Sequence, residues 1–206
     1  MIQAVLFDFG GVLAEEGFRH GMMAIAAQNR IDPDAFYASV EQVIYHGGYV
    51  LGRTSEATFW ETLRKKWRLS GSDADLRREI LSRFKVRPGM IELARKTKNL
   101  GMVTAILSDQ TNWLDELNLR DGIYEAFDRV FNSYYLHQSK RMKETFLRAC
   151  AELGVSPGAT VFVDDHAENC ENALSAGLIP VAFVSESQIR EQLGRLFRDN
   201  GLSGID

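Results

Sequence analysis

Val5-Leu6-Phe7-Asp8-Phe9-Gly10-Gly11-Val12-Leu13 decides the kind of fold this chain adopts. An apolar run covering residues 3–7 stops at an acid, and two glycines follow almost at once. Runs this apolar, bounded by polar turns, suit strands of a parallel sheet buried on both faces. Similar runs recur at residues 102–107, 128–132, 160–163 and 180–184. Helical patterns separate the last of these: Met142, Phe146, Leu147, Cys150 and Leu153 repeat at helical spacing, as do Ile189, Leu193, Leu196 and Phe197. The alternation predicts an α/β fold, a Rossmann-like doubly wound parallel sheet with right-handed crossovers.

The interval after the first strand breaks the pattern. Residues 15–86 contain no strand signal, only helical ones. Asp32-Pro33 is a cap followed by proline at the first helical position, and Phe36, Val40, Val43 and Ile44 then share one stripe. A second stripe uses Phe59, Trp60, Leu63 and Trp67 and begins at Thr54 or Ser55. Arg87-Pro88-Gly89 restarts the α/β alternation. The expected division is therefore a core of residues 1–14 and 87–206 with a helical cap, 15–86, inserted between.

Composition narrows the function classes. At 206 residues a folded chain buries roughly 70% of its unfolded surface and needs no metal or disulfide staple. Apolar residues make up 45% and charged residues 25%, which excludes a disordered tail, a collagen and a coiled-coil rod. No apolar run is long enough to span a bilayer, and no leader precedes the first strand, so a soluble cytoplasmic protein is expected. Cys150 and Cys170 are too few for a disulfide framework and are not spaced like zinc ligands. A net charge of −4 argues against nucleic-acid binding. Residues 64–87 carry nine basic residues against three acids, which reads as a solvated helical face, with a local field for a small anion as the sharper alternative.

Ligands of open parallel sheets bind beyond the carboxyl ends of the strands. Asp8, Ser108-Asp109 and Asp164-Asp165 stand at those ends, and Lys140 opens a helix before the fourth strand. Each alone reads as a cap or as surface; together they converge on one rim. Carboxylates gathered there repel one another unless a cation compensates, and oxygen ligands with a few waters suit magnesium. A hydroxyl and an ammonium beside them suit phosphate oxygens. The constellation points to magnesium-dependent phosphoryl transfer.

The sequence resembles the haloacid dehalogenase-like hydrolase superfamily, in the subgroup with a helical cap after the first strand. The segment quoted above matches the nucleophile motif, and Ala105-Ile106-Leu107-Ser108-Asp109 the Ser/Thr motif. Lys140 with Glu144-Thr145-Phe146 matches the lysine motif, and Val161-Phe162-Val163-Asp164-Asp165 through Asn169 and Ala176-Gly177 the acidic motif. Tyr49-Val50-Leu51-Gly52 and Phe59-Trp60 are similar to cap sequences of that subgroup. The resemblance implies that Asp8 is a nucleophile forming an aspartyl-phosphate. Mg2+ would be held by Asp8, the main-chain oxygen of Gly10 and Asp165, with Asp164 in support. Ser108 and the amide of Asp109 would hold phosphate oxygens, and Lys140 would balance charge. The expected protein is a phosphatase of a small phosphorylated metabolite, a monomer or homodimer without nucleic-acid or membrane partners. The alternatives are a metal-independent 2-haloacid dehalogenase and a non-catalytic binding module.

Three departures from the family pattern stand out. The family's usual second aspartate, which protonates the leaving group, is Gly10 here, so turnover is expected to favour leaving groups that need little protonation. Asp109 replaces the commoner asparagine, and Arg141 replaces the proline after the lysine, which leaves Lys143 as a competitor for the role of Lys140. Glu15, Glu16 and His166 are the candidates for the missing acid, with hinge surface as the plainer role for the two glutamates. His20, His46, His137 and His166 show no ligand spacing. Asn169 stands where the family orients its metal site. Trp60, Trp67 and Trp113 read as core, and Phe18, Tyr45 and Tyr49 as the cap side of a pocket.

Overall fold

The structure is a computed structural model and describes residues 1–201. Five parallel strands form its centre: β1 (Ala4–Phe7), β2 (Val103–Ser108), β3 (Arg129–Asn132), β4 (Thr160–Asp164) and β5 (Ile179–Ala182), in the spatial order β3-β2-β1-β4-β5. All four residues of β1 are buried, as a central parallel strand covered on both faces requires. Register aligns Phe7 with Ile106 on one side and Val163 on the other, so the residues after these positions emerge at one edge. Chain order reverses across β1. A crevice therefore opens at the carboxyl ends of β1, β2 and β4.

Ten helices surround the sheet among the described residues. Helices α1 (Gly17–Gln28), α2 (Pro33–His46), α3 (Glu56–Trp67) and α4 (Asp73–Arg83) lie between β1 and β2 in the chain. They are followed by α5 (Pro88–Asn99), α6 (Trp113–Asp121), the single turn α7 (Ser133–Leu136), α8 (Lys143–Leu153), α9 (Ala167–Ser175) and α10 (Glu186–Asp199). The caps are local chemistry. Asp32 accepts from the Ala35 amide, and Ser55 accepts from Thr58. Ser72 and Asp75 form a reciprocal capping box at the start of α4.

The chain enters and leaves the inserted helices through two paired linkers. Glu15 N donates to Lys85 O at 2.9 Å, and Arg87 N donates to Leu13 O at 2.8 Å. Aromatic packing then joins α3 to α6: Trp60 stacks on Trp113 with ring centroids 6.0 Å apart. Both indole N–H groups donate to Glu56, at 3.0 and 3.1 Å, and Arg77 from α4 pairs with the same carboxylate at 2.7 Å. One carboxylate thus satisfies two buried indoles and a guanidinium.

Expectations at Lys140, Ser108, Met142 and Leu147 need correction. Lys140 does not open a helix; it lies in the loop before α8, which starts at Lys143. Ser108 does not cap α6, whose N-cap is Asn112. Leu147 and Met142 are exposed, because the buried face of α8 runs through Thr145, Phe146, Ala149 and Cys150. The basic residues of 64–87 are largely paired with acids, as in Arg64–Asp73, Arg77–Glu56, Arg78–Asp75 and Arg83–Glu79. No helix among the described residues is long and apolar enough to cross a membrane.

The packing of α1 on α4 depends on a missing side chain. A Cβ at Gly21 would lie 2.5 Å from the Cα of Ile80, against backbone that cannot swing away. Valine there should cost about 1–3 kcal/mol by overpacking, more than the few tenths of a kcal/mol it gains over glycine in helix propensity. Gly21→Val is therefore expected to lower the urea midpoint. An unchanged or higher midpoint would contradict the close approach of the two helices.

Candidate active site

Asp8 is the first residue past β1, and its amide still bonds across to Val163 O at 2.9 Å. Its Oδ1 accepts from Phe9 N at 2.7 Å, from Ser108 Oγ at 2.6 Å and from Lys140 Nζ at 2.9 Å. Three donors on one oxygen fix the carboxylate and leave Oδ2 as the atom free for a new bond. Ser108 reaches it because it ends β2, the strand beside β1. Lys140 arrives from the loop before α8 and is only 2% exposed. A lysine buried this far must be paired, and its Nζ also donates to Asp164 Oδ2 at 2.6 Å. Asp164, fully buried at the end of β4, further accepts from the His166 amide at 2.8 Å and from Asn169 Nδ2 at 3.1 Å. Lys143, by contrast, is exposed at the start of α8.

Asp165 completes the rim from the other side. It is exposed, and no other side chain among the described residues bonds its carboxylate. A Cβ on Gly11, which has φ of +82°, would lie 2.1 Å from Asp165 Oδ2, so only glycine lets this acid settle against the loop after Asp8. Ligand atoms of Asp8, Asp164 and Asp165 lie within 4.8 Å of one another. Burial, reinforced by Asp164, pushes the Asp8 carboxyl above its usual range against the pull of Lys140 and Ser108. Burial pulls the Lys140 ammonium down, but Asp8, Asp164 and Asp109 outweigh it and hold the ammonium above its usual range. Burial also raises Asp165. Asp8 and Asp164 share one ammonium, Asp165 has none among the described residues, and the site is short of positive charge. An all-oxygen donor set with surplus negative charge fits a hard divalent cation such as magnesium.

The remaining rim residues have defined places. Asp109 spends both oxygens on structure: Oδ1 accepts from Lys140 N at 2.9 Å and Oδ2 from Tyr45 OH at 3.3 Å. Burial raises its carboxyl as well. The bond to Tyr45 ties the core to α2, and the guanidinium of Arg141 stacks on the same tyrosine ring, 3.6 Å from its centroid. Phe18, Tyr37 and Tyr45 line the inserted side of a cavity of about 180 Å³ whose floor holds Asp8, Gly10, Ser108 and Lys140. Tyr49, expected there, is buried instead against Trp113, with its hydroxyl on Asn112 at 2.8 Å. None of the basic residues of 64–87 lines this cavity, so the anion-attracting alternative for that stretch has no structural support.

Two residues carry more than the sequence indicated. Arg87 Nη1 donates to Gly11 O at 2.9 Å and to Ala14 O at 2.6 Å, and so braces the loop that follows Asp8. Its only sequence signal was its place before Pro88. Glu16 is the N-cap of α1, with Oε1 accepting from Arg19 N at 2.9 Å, and it lines the cavity; Glu15 is exposed outside it. Burial and the nearby Asp165 raise the Glu16 carboxyl against the Arg19 amide. His166 lines the cavity, His20 and His46 do not, and His137 bonds Leu51 O at 2.8 Å.

Comparison with known proteins identifies the family and the fold. A family model described as haloacid dehalogenase-like hydrolase matches residues 2–177. Among solved structures, an HAD family enzyme of Bacteroides thetaiotaomicron in complex with magnesium and inorganic phosphate is 21% identical. The match covers 88% of this chain and 94% of that one, with a TM-score of 0.71. An HAD phosphatase from Thermococcus onnurineus is 20% identical over 94% of this chain and 98% of its own, with a TM-score of 0.65. A dehalogenase is also 20% identical, over 88% and 84%, with a TM-score of 0.67. At such identities the likeness is one of fold. The family match itself runs through every segment that meets at the rim, from Asp8 to Asn169, and by it the chain belongs to the haloacid dehalogenase-like hydrolases.

Proposed function

We propose that this hydrolase is a magnesium-dependent phosphatase that cleaves a small phosphorylated metabolite through an aspartyl-phosphate on Asp8. The observation that carries this reading is the imbalance at the rim, where Asp8, Asp164 and Asp165 gather around the single ammonium of Lys140. A metal-independent dehalogenase has no use for that surplus of acids. Asp8, the main-chain oxygen of Gly10 and Asp165 would hold the cation, with Asp164 beside them. When bound, magnesium supplies the neutralisation that lets a dianionic phosphate approach carboxylates.

The protein's own groups do the rest. Phe9, Ser108 and Lys140 hold Asp8 Oδ1, which aims Oδ2 at phosphorus. That oxygen forms the new bond as the ester P–O bond breaks. The amide of Asp109 receives a phosphate oxygen, as does Ser108 once its hydroxyl turns from Asp8 Oδ1, and Lys140 balances the charge that develops on them. Water then attacks phosphorus, inorganic phosphate leaves, and Asp8 returns as a carboxylate. Residues 15–86 act as the cap. Phe18, Tyr37 and Tyr45 close over a cavity of about 180 Å³, which suits a small substrate.

Asp8→Asn tests this directly. The amide keeps the volume but is a poor nucleophile, so turnover should fall by on the order of 10⁴-fold or more. Because one negative charge leaves a crowded site, thermal stability in chelator should hold or rise. A folded variant retaining a tenth of its activity, or one that melts well below the parent protein, would refute the assignment.

The two acids of β4 and the loop after it should separate in kind. Asp165→Ala removes a carboxylate bonded to no other side chain, so the melt should not move while the magnesium requirement rises by ~10-fold or more. Asp164→Ala strips Lys140 and Asn169 of a buried partner and should cost about 3–5 kcal/mol of stability. Magnesium titrations of activity paired with melts in chelator check both. An unchanged magnesium requirement in Asp165→Ala would show that this acid is not a ligand.

A further inference from the structure

Breaking a P–O ester bond leaves an oxygen that needs a proton, and the rim residues described so far do not supply one. Lys140 is held between Asp8 and Asp164. Asp109 has both oxygens committed to Lys140 N and Tyr45 OH. Asp164 is occupied by Lys140, Asn169 and His166 N. Gly10 offers no side chain at all.

The space beside Gly10 is nevertheless filled. A Cβ built on Gly10 would stand 3.1 Å from Glu16 Oε2 and 3.5 Å from Gln110 Nε2. Glu16 therefore places an acid where a side chain at position 10 would point. Its Oε1 is fixed by the Arg19 amide at 2.9 Å, which sets the orientation, and Oε2 has no protein partner among the described residues. The glutamate is the N-cap of α1, directly after the linker that pairs with Lys85, so the seating of the inserted helices on the core sets the position of the acid. Glu15, one residue earlier, is exposed and outside the cavity.

We infer that Glu16 is the catalytic acid and base of this site, acting through Oε2 in the space that Gly10 leaves open. The inference rests on the phosphatase reading. In the first step Asp8 Oδ2 bonds to phosphorus, the ester P–O bond breaks, and the proton of the Glu16 carboxyl passes to the departing oxygen, which leaves as an alcohol. In the second, water attacks the phosphorus of the aspartyl-phosphate and gives a proton to the Glu16 carboxylate. Phosphate departs, and both acids return to their starting states. The expectation drawn from Gly10 is thereby reversed: the parent enzyme should accept poor leaving groups.

Glu16→Gln is the informative change, because glutamine Oε1 can still cap Arg19 N while carrying no transferable acid proton. The readout is kcat/KM with magnesium across phosphomonoesters, from p-nitrophenyl phosphate to simple alkyl phosphates. The variant should lose about 10²–10⁴-fold on alkyl esters and little on the nitrophenyl ester. With the nitrophenyl ester it should also show a burst of one equivalent as the second step slows. Gly10 does not have positive φ, but a Cβ there would stand 3.1 Å from Glu16 Oε2, so the rescue is made in Glu16→Ala, which empties that space. Adding Gly10→Asp to Glu16→Ala should restore most of the alkyl activity. Equal losses on both ester classes, or no loss on either, would overturn the role of Glu16 while leaving the phosphatase reading intact. A parent protein inert toward the whole panel would overturn the reading, and the inference with it.

Discussion

The ammonium of Lys140 lies 2.9 Å from Asp8 and 2.6 Å from Asp164, with almost no contact with solvent. Burying a charge is costly unless it is paired, so this contact dictates where two strands and a loop must end. β1 has to deliver Asp8, β4 has to deliver Asp164, and the segment before α8 has to turn inward instead of starting its helix early. Asp109 secures that turn by accepting from the Lys140 amide at 2.9 Å. Yet one ammonium cannot neutralise Asp8, Asp164 and Asp165 together. The fold thus holds a deficit of positive charge that a divalent cation would relieve, and only then would an anionic substrate be tolerated beside the carboxylates.

The second constraint is how the inserted helices are held over this rim. The two linkers bond to each other at Glu15–Lys85 and Arg87–Leu13, and Arg87 braces the loop after Asp8 from the same place. The two linkers and the loop after Asp8 are therefore one bonded unit of backbone. Farther out, Glu56 gathers Trp60, Trp113 and Arg77, and Tyr45 reaches Asp109. The Glu56–Trp113 and Tyr45–Asp109 bonds cross between inserted helices and core, and with the bonds among the helices they make the position of α1, with Glu16 at its start, a consequence of the whole assembly.

The strands and the rim acids were legible in the sequence because a buried parallel strand is written as an apolar run and its end as the first polar residue. Asp8, Ser108 and Asp164 all follow that rule. Lys140 was legible as a rim residue but not as a loop residue. The stretch from Lys140 to Leu153 has continuous helical character, and distant side chains, Asp109 on the Lys140 amide and Asn172 on the Lys140 carbonyl, hold its first residues out of the helix. Contacts such as Tyr45 with Asp109, 64 residues apart, and Arg87 with Gly11, 76 apart, leave no periodic trace. Glu15 and Glu16 were indistinguishable as neighbours; the backbone at the start of α1 sends one to solvent and the other into the cavity.

The most direct test of the charge-deficit account is product release from a mixed panel of phosphomonoesters and 2-haloacids, assayed once with magnesium and once with chelator. The account predicts inorganic phosphate in magnesium, none in chelator, and no halide in either. Halide release that persists in chelator, with no phosphate released under either condition, would contradict it.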